Sequence, residues 1–282
     1  MTIRPRRSAL YMPASNARAI EKARSLACDV VILDLEDAVA PEQKAAARDQ
    51  AAAASGFGHR EWVIRVNGLD TEWGADDLAA CRAAAPDAVL LPKVSSPDDL
   101  RQARALLGSG PALWAMIETA RALVDLRTIA EAAAETGLAA FIIGPNDLAK
   151  ELHLRPGIDR APLLPILSRI VTVARAYGIA PLDGVMNAFD DEGAIAAECA
   201  QGLAFGFDGK TLIHPNQIAP ANRVFAPTAE EIAWAQRIVA AFDAPENAGK
   251  GAIKVDGKMV ELLHRDDARR TLALAAAIAD HG

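Results

Sequence analysis

The sequence predicts an α/β fold, a closed (β/α)8 TIM barrel with a C-terminal helical extension, and three observations predict it. Short apolar, β-branched runs recur through the first 225 residues, each followed by a stretch with helical spacing. Most of these runs are hydrophobic throughout, as strands buried on both faces of a parallel sheet must be. Eight of them fit into roughly 215 residues, close to the usual size of about 250 for such a barrel. An open, doubly wound sheet is the alternative, but no strand candidate is followed by a G-x-G-x-x-G turn.

The strands are expected at 8–13, 30–36, 62–67, 88–94, 112–118, 140–144, 180–185 and 204–207. Helices are expected at 16–27, 42–54, 75–84, 97–107, 120–135, 162–177 and 190–199. Together they make a barrel domain over residues 1–225, and residues 226–282 form an extension. In that extension 228–242 reads as a helix, with Thr228 as N-cap and Glu231 completing a capping box. A linker at 244–251 leads to the stretch 252–260 and a last helix at 266–279. No strand is left there to pair, so the tail reads as an oligomerisation arm or a lid.

Composition narrows the function. A hydrophobic fraction of 51% with 24% charged residues suits a globular protein with an ample core. The net charge of −7 disfavours nucleic acid and anionic lipid as partners. Arg4, Arg6 and Arg7 gather at the start and read as a solvated face. No apolar run approaches a membrane span or a signal peptide. Cys28, Cys81 and Cys199 have no metal spacing, read as small core hydrophobes and suit a cytoplasmic location.

Barrel enzymes place their chemistry where strands end, on the C-terminal face. Strand two ends Leu33-Asp34-Leu35-Glu36-Asp37 and strand three Arg65-Val66-Asn67. Strand four ends Pro92-Lys93, strand five Met116-Ile117-Glu118-Thr119 and strand six Gly144-Pro145-Asn146-Asp147. One charge after a strand is often only a helix cap, but five consecutive strands ending in polar residues suggest a site. So many carboxylates need compensating cations, for which Arg65, Lys93 and a bound metal are available. Carboxylates without a His/Cys set favour Mg2+ or Mn2+ over zinc. Arg65 carries a planar donor fork suited to a substrate carboxylate or a developing oxyanion. The local chemistry points to an α-keto acid bound by metal and arginine.

Three lookalikes fail. Gly209-Lys210-Thr211 ends like a P-loop but lacks its first glycine. His59, His153, His214, His264 and His281 form no H-x-x-x-H pair, and no serine lies in G-x-S-x-G.

Six ordered motifs then converge: Leu10-Tyr11-Met12-Pro13, Leu33 through Val39, Arg65-Val66-Asn67, Ile117 through Arg121, Gly144 through Leu148, and Gly206-Phe207-Asp208-Gly209-Lys210 with Ile213-His214-Pro215. Together they resemble the citrate lyase β-subunit-like family, relatives of malyl-CoA and citramalyl-CoA lyases and of the HpcH/HpaI aldolases. The resemblance implies a (β/α)8 barrel in trimers or hexamers, acting on an acyl-CoA thioester and a small keto acid. It implies Glu118 and Asp147 as ligands of Mg2+, with Mn2+ possible, and Arg65, Glu118 and Asn146 at the substrate. Glu36 and Asp37 look like the acidic pair that orders metal-bound water, and Lys93 like a salt-bridge residue. Residues 251–261 resemble a C-terminal lid, where Glu261 replaces the aspartate that handles a proton in the CoA lyases. The leading expectation is a carbon–carbon lyase that cleaves citramalyl-CoA or malyl-CoA to acetyl-CoA and a keto acid. Malyl-CoA thioesterase, free-acid pyruvate aldolase and an acyl-carrier-binding subunit with little turnover are the alternatives.

Overall fold

Eight strands close into a parallel barrel in sequence order: β1 (Ser8–Pro13), β2 (Val30–Asp34), β3 (Glu61–Arg65), β4 (Ala88–Leu91), β5 (Ala112–Ile117), β6 (Leu138–Ile143), β7 (Ala180–Asp183) and β8 (Gly209–Leu212). The computed structural model describes residues 4–157 and 159–280, so His281 and the outermost ends of the two expected domains lie outside it. The helices are α1 (Ala17–Ala23), α2 (Lys44–Ala53), α3 (Gly74–Ala84), α4 (Pro97–Leu107), α5 (Ala120–Glu131), α6 (Ala133–Thr136), α7 (Pro145–Glu151), α8 (Leu164–Ala176), α9 (Glu192–Phe205), α10 (Ile218–Phe225), α11 (Ala229–Asp243) and α12 (Leu262–Ala279). The chain divides into two compact units, Arg6–Asn222 and a C-terminal one that begins at Arg223. Among the described residues no helix is long and apolar enough to cross a membrane.

The barrel interior follows from strand parity. Ala9, Val30, Ile32, Val63, Ala88, Leu90, Trp114, Met116, Ala140, Ile142 and Leu182 pack together inside it. They stand two residues apart wherever a strand contributes a pair, because successive side chains point to opposite faces. The intervening Val31, Leu33, Val89, Leu113, Ala115 and Phe141 are also buried, on the opposite face of the strands. Those two apolar faces explain the unbroken hydrophobic runs.

Two expectations about the barrel are corrected. The run 204–207 is not the eighth strand: α9 continues to Phe205, Gly206 ends it at φ 95°, and β8 starts at Gly209. Ala204 and Phe205 are the last turn of a helix, whose apolar residues mimic a strand in so short a window. A Cβ at Gly209 would lie 1.8 Å from the Arg6 carbonyl oxygen, so β8 meets the start of β1 only as glycine. The amino-terminal arginines are not simply a solvated face either. Arg6 Nε lies 2.6 Å from Glu61, Arg7 Nη2 lies 2.7 Å from Asp29, and the Arg6 guanidinium covers the Trp114 ring at 4.9 Å. The acidic partners lie far off in the chain, Asp29 just before β2 and Glu61 in β3, so no local pattern points to them. All three cysteines are buried, as expected, and burial pushes their thiols up to about 11 or 12.

In the C-terminal unit, α11 has the expected capping box, with reciprocal Thr228 and Glu231 bonds of 2.7 and 3.2 Å. The expectation that no strand remains to pair is overturned. β9 (Ala252–Val255) and β10 (Lys258–Glu261) form an antiparallel hairpin. Asp256 and Gly257 turn it with φ of 49° and 82°, the left-handed pair that a two-residue Asp-Gly turn requires. Ile253, Val255 and Val260 pack with Ala235, Ile238, Phe242 and Ala268 into a small core of their own.

Candidate active site

The parity that fills the barrel also builds the site. Tyr11 follows Ala9, Asp34 follows Ile32, Arg65 follows Val63 and Glu118 follows Met116, each two residues beyond an interior core position. Tyr11, Asp34, Arg65 and Met116 line a cavity of about 330 Å³ with Asp37, Gly144, Asn146 and Asp147. A second cavity of about 370 Å³ is lined by Lys93, Glu118, Thr119, Asp147, Lys150, Glu151 and His153. Asp147 lines both.

Arg65 is the centre of the first cavity. Its Nε and Nη2 donate to the two oxygens of Asp34 at 2.6 and 2.7 Å, and its guanidinium lies over the Tyr11 ring at 4.9 Å. Nη1 faces Glu36 at 3.0 Å and Asp37 at 3.4 Å. The fork expected to bind substrate is therefore taken up by Asp34, and Nη1 is the edge that faces the acidic pair Glu36 and Asp37. Burial works to lower the Arg65 pKa, but the Asp34 carboxylate outweighs it and raises it, so Arg65 stays charged. Burial likewise keeps the Tyr11 phenol protonated.

Glu36 is buried between Arg65 and Lys93, whose Nζ donates to its Oε1 at 2.8 Å. Its Oε2 is buried with no aligned hydrogen-bond donor, despite the nearby Arg65. Burial raises its pKa, opposed by Arg65 and Lys93. Asp37 is largely exposed at the mouth. Asn146, also exposed, exchanges two side-chain hydrogen bonds with Asn187, each Nδ2 donating to the other's Oδ1, at 3.0 and 3.2 Å. Glu261 belongs to the C-terminal unit, where it ends β10 and its backbone N–H donates to His264 Nδ1 at 2.9 Å.

Glu118 is almost fully enclosed at 1% exposure, and its Oε1 accepts the Lys93 backbone N–H at 2.7 Å. Its Cβ and Oε2 each lie 2.4 Å from where a Cβ on Gly144 would stand, so only glycine lets this carboxylate rest on the β6 turn. Burial raises its pKa to about 7, with Glu36 and Asp147 adding to the rise and the Lys93 N–H and Arg65 opposing it. An enclosed carboxylate beside two others is short of positive charge, and a divalent cation fits that deficit. Among the described residues no three His, Cys, Asp or Glu side chains form a metal cage. Two carboxylates with the remaining positions left to water and substrate are a magnesium-type donor set.

Several residues of this constellation were not singled out from the sequence. Asp34 and Tyr11 lie inside quoted motifs, and strand parity was the signal that could have selected them. Lys44 is buried in α2 and donates to the carbonyls of Leu35 and Glu36 and to Asn67 Oδ1, at 2.7–2.8 Å. It holds the turn after β2 from behind. Asn67 also donates to Asp77 and is part of that brace.

Comparison with known proteins is consistent with this geometry. Residues 7–215 match the family model HpcH/HpaI aldolase/citrate lyase. The chain is 49% identical over 99% of its length to a (3S)-malyl-CoA thioesterase of Cereibacter sphaeroides, covering 97% of that relative. It is 31% identical to the mitochondrial citramalyl-CoA lyase of Mus musculus, over 97% of this chain and 87% of the other. A crystal structure of the Mycobacterium tuberculosis protein CitE with magnesium, acetoacetate and coenzyme A superposes with a TM-score of 0.79 at 31% identity. That match covers 98% of this chain and 100% of the other. The chain belongs to the HpcH/HpaI aldolase/citrate lyase family.

Proposed function

We propose that this enzyme hydrolyses a short hydroxyacyl-CoA thioester of the malyl-CoA type. One observation supports hydrolysis over the carbon–carbon cleavage first expected. Identity to a (3S)-malyl-CoA thioesterase is 49% over nearly the whole chain, against 31% to a citramalyl-CoA lyase. In hydrolysis, water adds to the thioester carbonyl, the C–S bond breaks, and CoA leaves as the thiol with the proton.

Glu118 and Asp147 would hold Mg2+, or Mn2+ in its place. The ion would supply Lewis-acid stabilisation of charge developing on oxygen. Arg65 offers its Nη1 side to the substrate carboxylate, and Asn146 borders the same cavity. Glu36, held between Arg65 and Lys93, and Asp37 would order water at the mouth. Glu261 of a neighbouring subunit would supply a carboxyl for proton transfer, in a homotrimer or hexamer.

Lyase activity is the second reading, supported by the citramalyl-CoA lyase relative and by the CitE complex with CoA and acetoacetate. Incubation with (3S)-malyl-CoA and citramalyl-CoA, followed by mass spectrometry, separates the two. Hydrolysis gives malate and free CoA. Accumulation of acetyl-CoA with glyoxylate or pyruvate would replace the thioesterase reading by the lyase one.

A further inference from the structure

Lys93 adopts a backbone conformation that a lysine rarely takes. It stands just after β4 with φ 51°, one of five non-glycine residues with positive φ among those described. The Cβ of any non-glycine residue disfavours that region, and such residues persist only where the surroundings hold them. The surroundings here are specific. Ser95 Oγ donates to the Lys93 carbonyl at 3.0 Å and meets Thr119 Oγ1 at 3.0 Å. Asp99 in turn accepts from the Ser95 and Ser96 backbones at 2.7 and 2.9 Å. The turn is thus tied on one side to α4 and on the other to the residue after Glu118.

The unusual backbone aims the Lys93 N–H at Glu118 Oε1, at 2.7 Å, while Nζ reaches Glu36 Oε1 at 2.8 Å. One residue therefore holds two carboxylates from different strands, each by one oxygen. In Glu118 the other oxygen, Oε2, is the one that rests over Gly144, at the turn that leads to Asp147.

We propose that Lys93 is a positioning residue: its left-handed backbone fixes Glu118 with Oε2 turned toward the Asp147 side, and its ammonium fixes Glu36. The assignment rests on the reading of Glu118 and Asp147 as the magnesium ligands. The backbone part needs positive φ, not a lysine side chain, whereas the Glu36 part needs the cation.

Three Lys93 variants and one at Glu118 separate these parts, read first with Mg2+ present (binding and turnover) and second by amide exchange. Lys93→Gly keeps the N–H and relaxes the backbone, and loses the ammonium. Lys93→Val loses the ammonium and drives the backbone away from positive φ. Lys93→Arg restores the cation. Titration of the whole protein with Mg2+ alone by calorimetry should show Lys93→Val about tenfold weaker than wild type, the size typical of a lost support behind a ligand. Lys93→Gly should stay within about threefold for Mg2+ while turnover falls, and Lys93→Arg should recover that turnover. A folded Lys93→Val that binds Mg2+ like wild type overturns the proposal.

The second readout does not involve the metal. Glu118→Ala should speed exchange of the Lys93 amide proton about tenfold, because its carboxylate acceptor is gone. Unchanged exchange in that variant overturns the clamp. If wild type binds no Mg2+, the metal reading fails by itself, and the amide exchange then decides for or against the clamp.

Discussion

Arg65 meets Asp34 edge to edge, with Nε and Nη2 each donating to a different carboxylate oxygen at 2.6 and 2.7 Å. The pair joins β2 to β3 at the level where both strands end, so the guanidinium is oriented before any substrate arrives. Such preorganisation would suit the substrate carboxylate proposed above.

Replacing Arg65 with lysine keeps a cation but cannot satisfy both Asp34 oxygens. The loss of a charge-assisted bond should cost about 1.5–3 kcal/mol of stability. Urea denaturation reads that loss, and kcat/KM for the thioester should fall in parallel. Wild-type values for both would mean that the Arg65–Asp34 pair neither supports the fold nor orients the substrate.

Removal of the metal should silence the enzyme. EDTA should abolish thioester cleavage and added Mg2+ should restore it. Asp147→Asn should lower activity about 10²–10⁴-fold, the scale of a bound Lewis acid. Full activity in EDTA would exclude a metal-dependent reaction.

Gly144 provides a steric test of the same site. Its φ is ordinary at −103°, so alanine there brings no backbone strain, only a methyl 2.4 Å from Glu118 Cβ and Oε2. Gly144→Ala should fold and yet bind Mg2+ about 10–100-fold more weakly. A variant with wild-type Mg2+ affinity would show that Glu118 can move without consequence.

Asp183, Lys210, Arg160 and Glu198 form a buried ionic cluster around β7 and β8. Lys210 Nζ lies 3.1 Å from Asp183 and 2.6 Å from Glu198, and Arg160 Nη1 lies 2.9 Å from Asp183. Lys210→Met should destabilise the fold by about 3–5 kcal/mol, since carboxylates lose a buried partner. Burial alone would raise the Asp183 pKa, but Lys210 and Arg160 more than offset it and hold it below its ordinary 3.8. A depressed carboxylate stabilises above its unfolded pKa and loses that contribution as pH falls through the folded value. Denaturation curves should thus show stability from this group intact above about pH 5 and declining below pH 4. In Lys210→Met the Asp183 pKa is less depressed, so this acid-induced decline should be smaller. Coincident pH profiles for both proteins would refute the cluster's role.

Glu261 tests the C-terminal unit. Glu261→Gln removes the carboxyl and leaves the hairpin, so turnover should drop about 10²-fold with an unchanged melting temperature. Glu261→Asp should retain measurable turnover. Equal rates for wild type and Glu261→Gln would remove Glu261 from the proton-transfer step.

The barrel was legible because most of its strands are apolar on both faces, a signal carried by consecutive residues, whereas β8 carries Lys210 and Thr211. The strand ends were legible for the same reason: Glu36, Asp37, Arg65, Glu118 and Asp147 interrupt those runs with charge. What escaped notice depends on partners distant in the chain. Asp183 and Lys210 look like isolated charges until β7 and β8 lie side by side, and Arg6 looks solvated until Glu61 comes beside it. β8 itself was misplaced because three apolar residues around Gly206 suit a helix end as well as a strand. The 256–257 turn carries a local signal in Asp-Gly, but the flanking residues Lys254 and Lys258 break the apolar pattern on both sides and mask the hairpin.

The alternation that sends Val63 and Arg65 to one face of β3, and Ile64 to the other, makes the site a matter of counting. Deleting one residue within β3 would carry Arg65 to the helix side and bring an apolar neighbour to the mouth, although composition and hydrophobicity would hardly change. Insertions in the loops beyond the strand ends spare that count. Variation in this fold is therefore free to lengthen the rim, where substrates differ, but is confined to even steps in the staves that carry the charges.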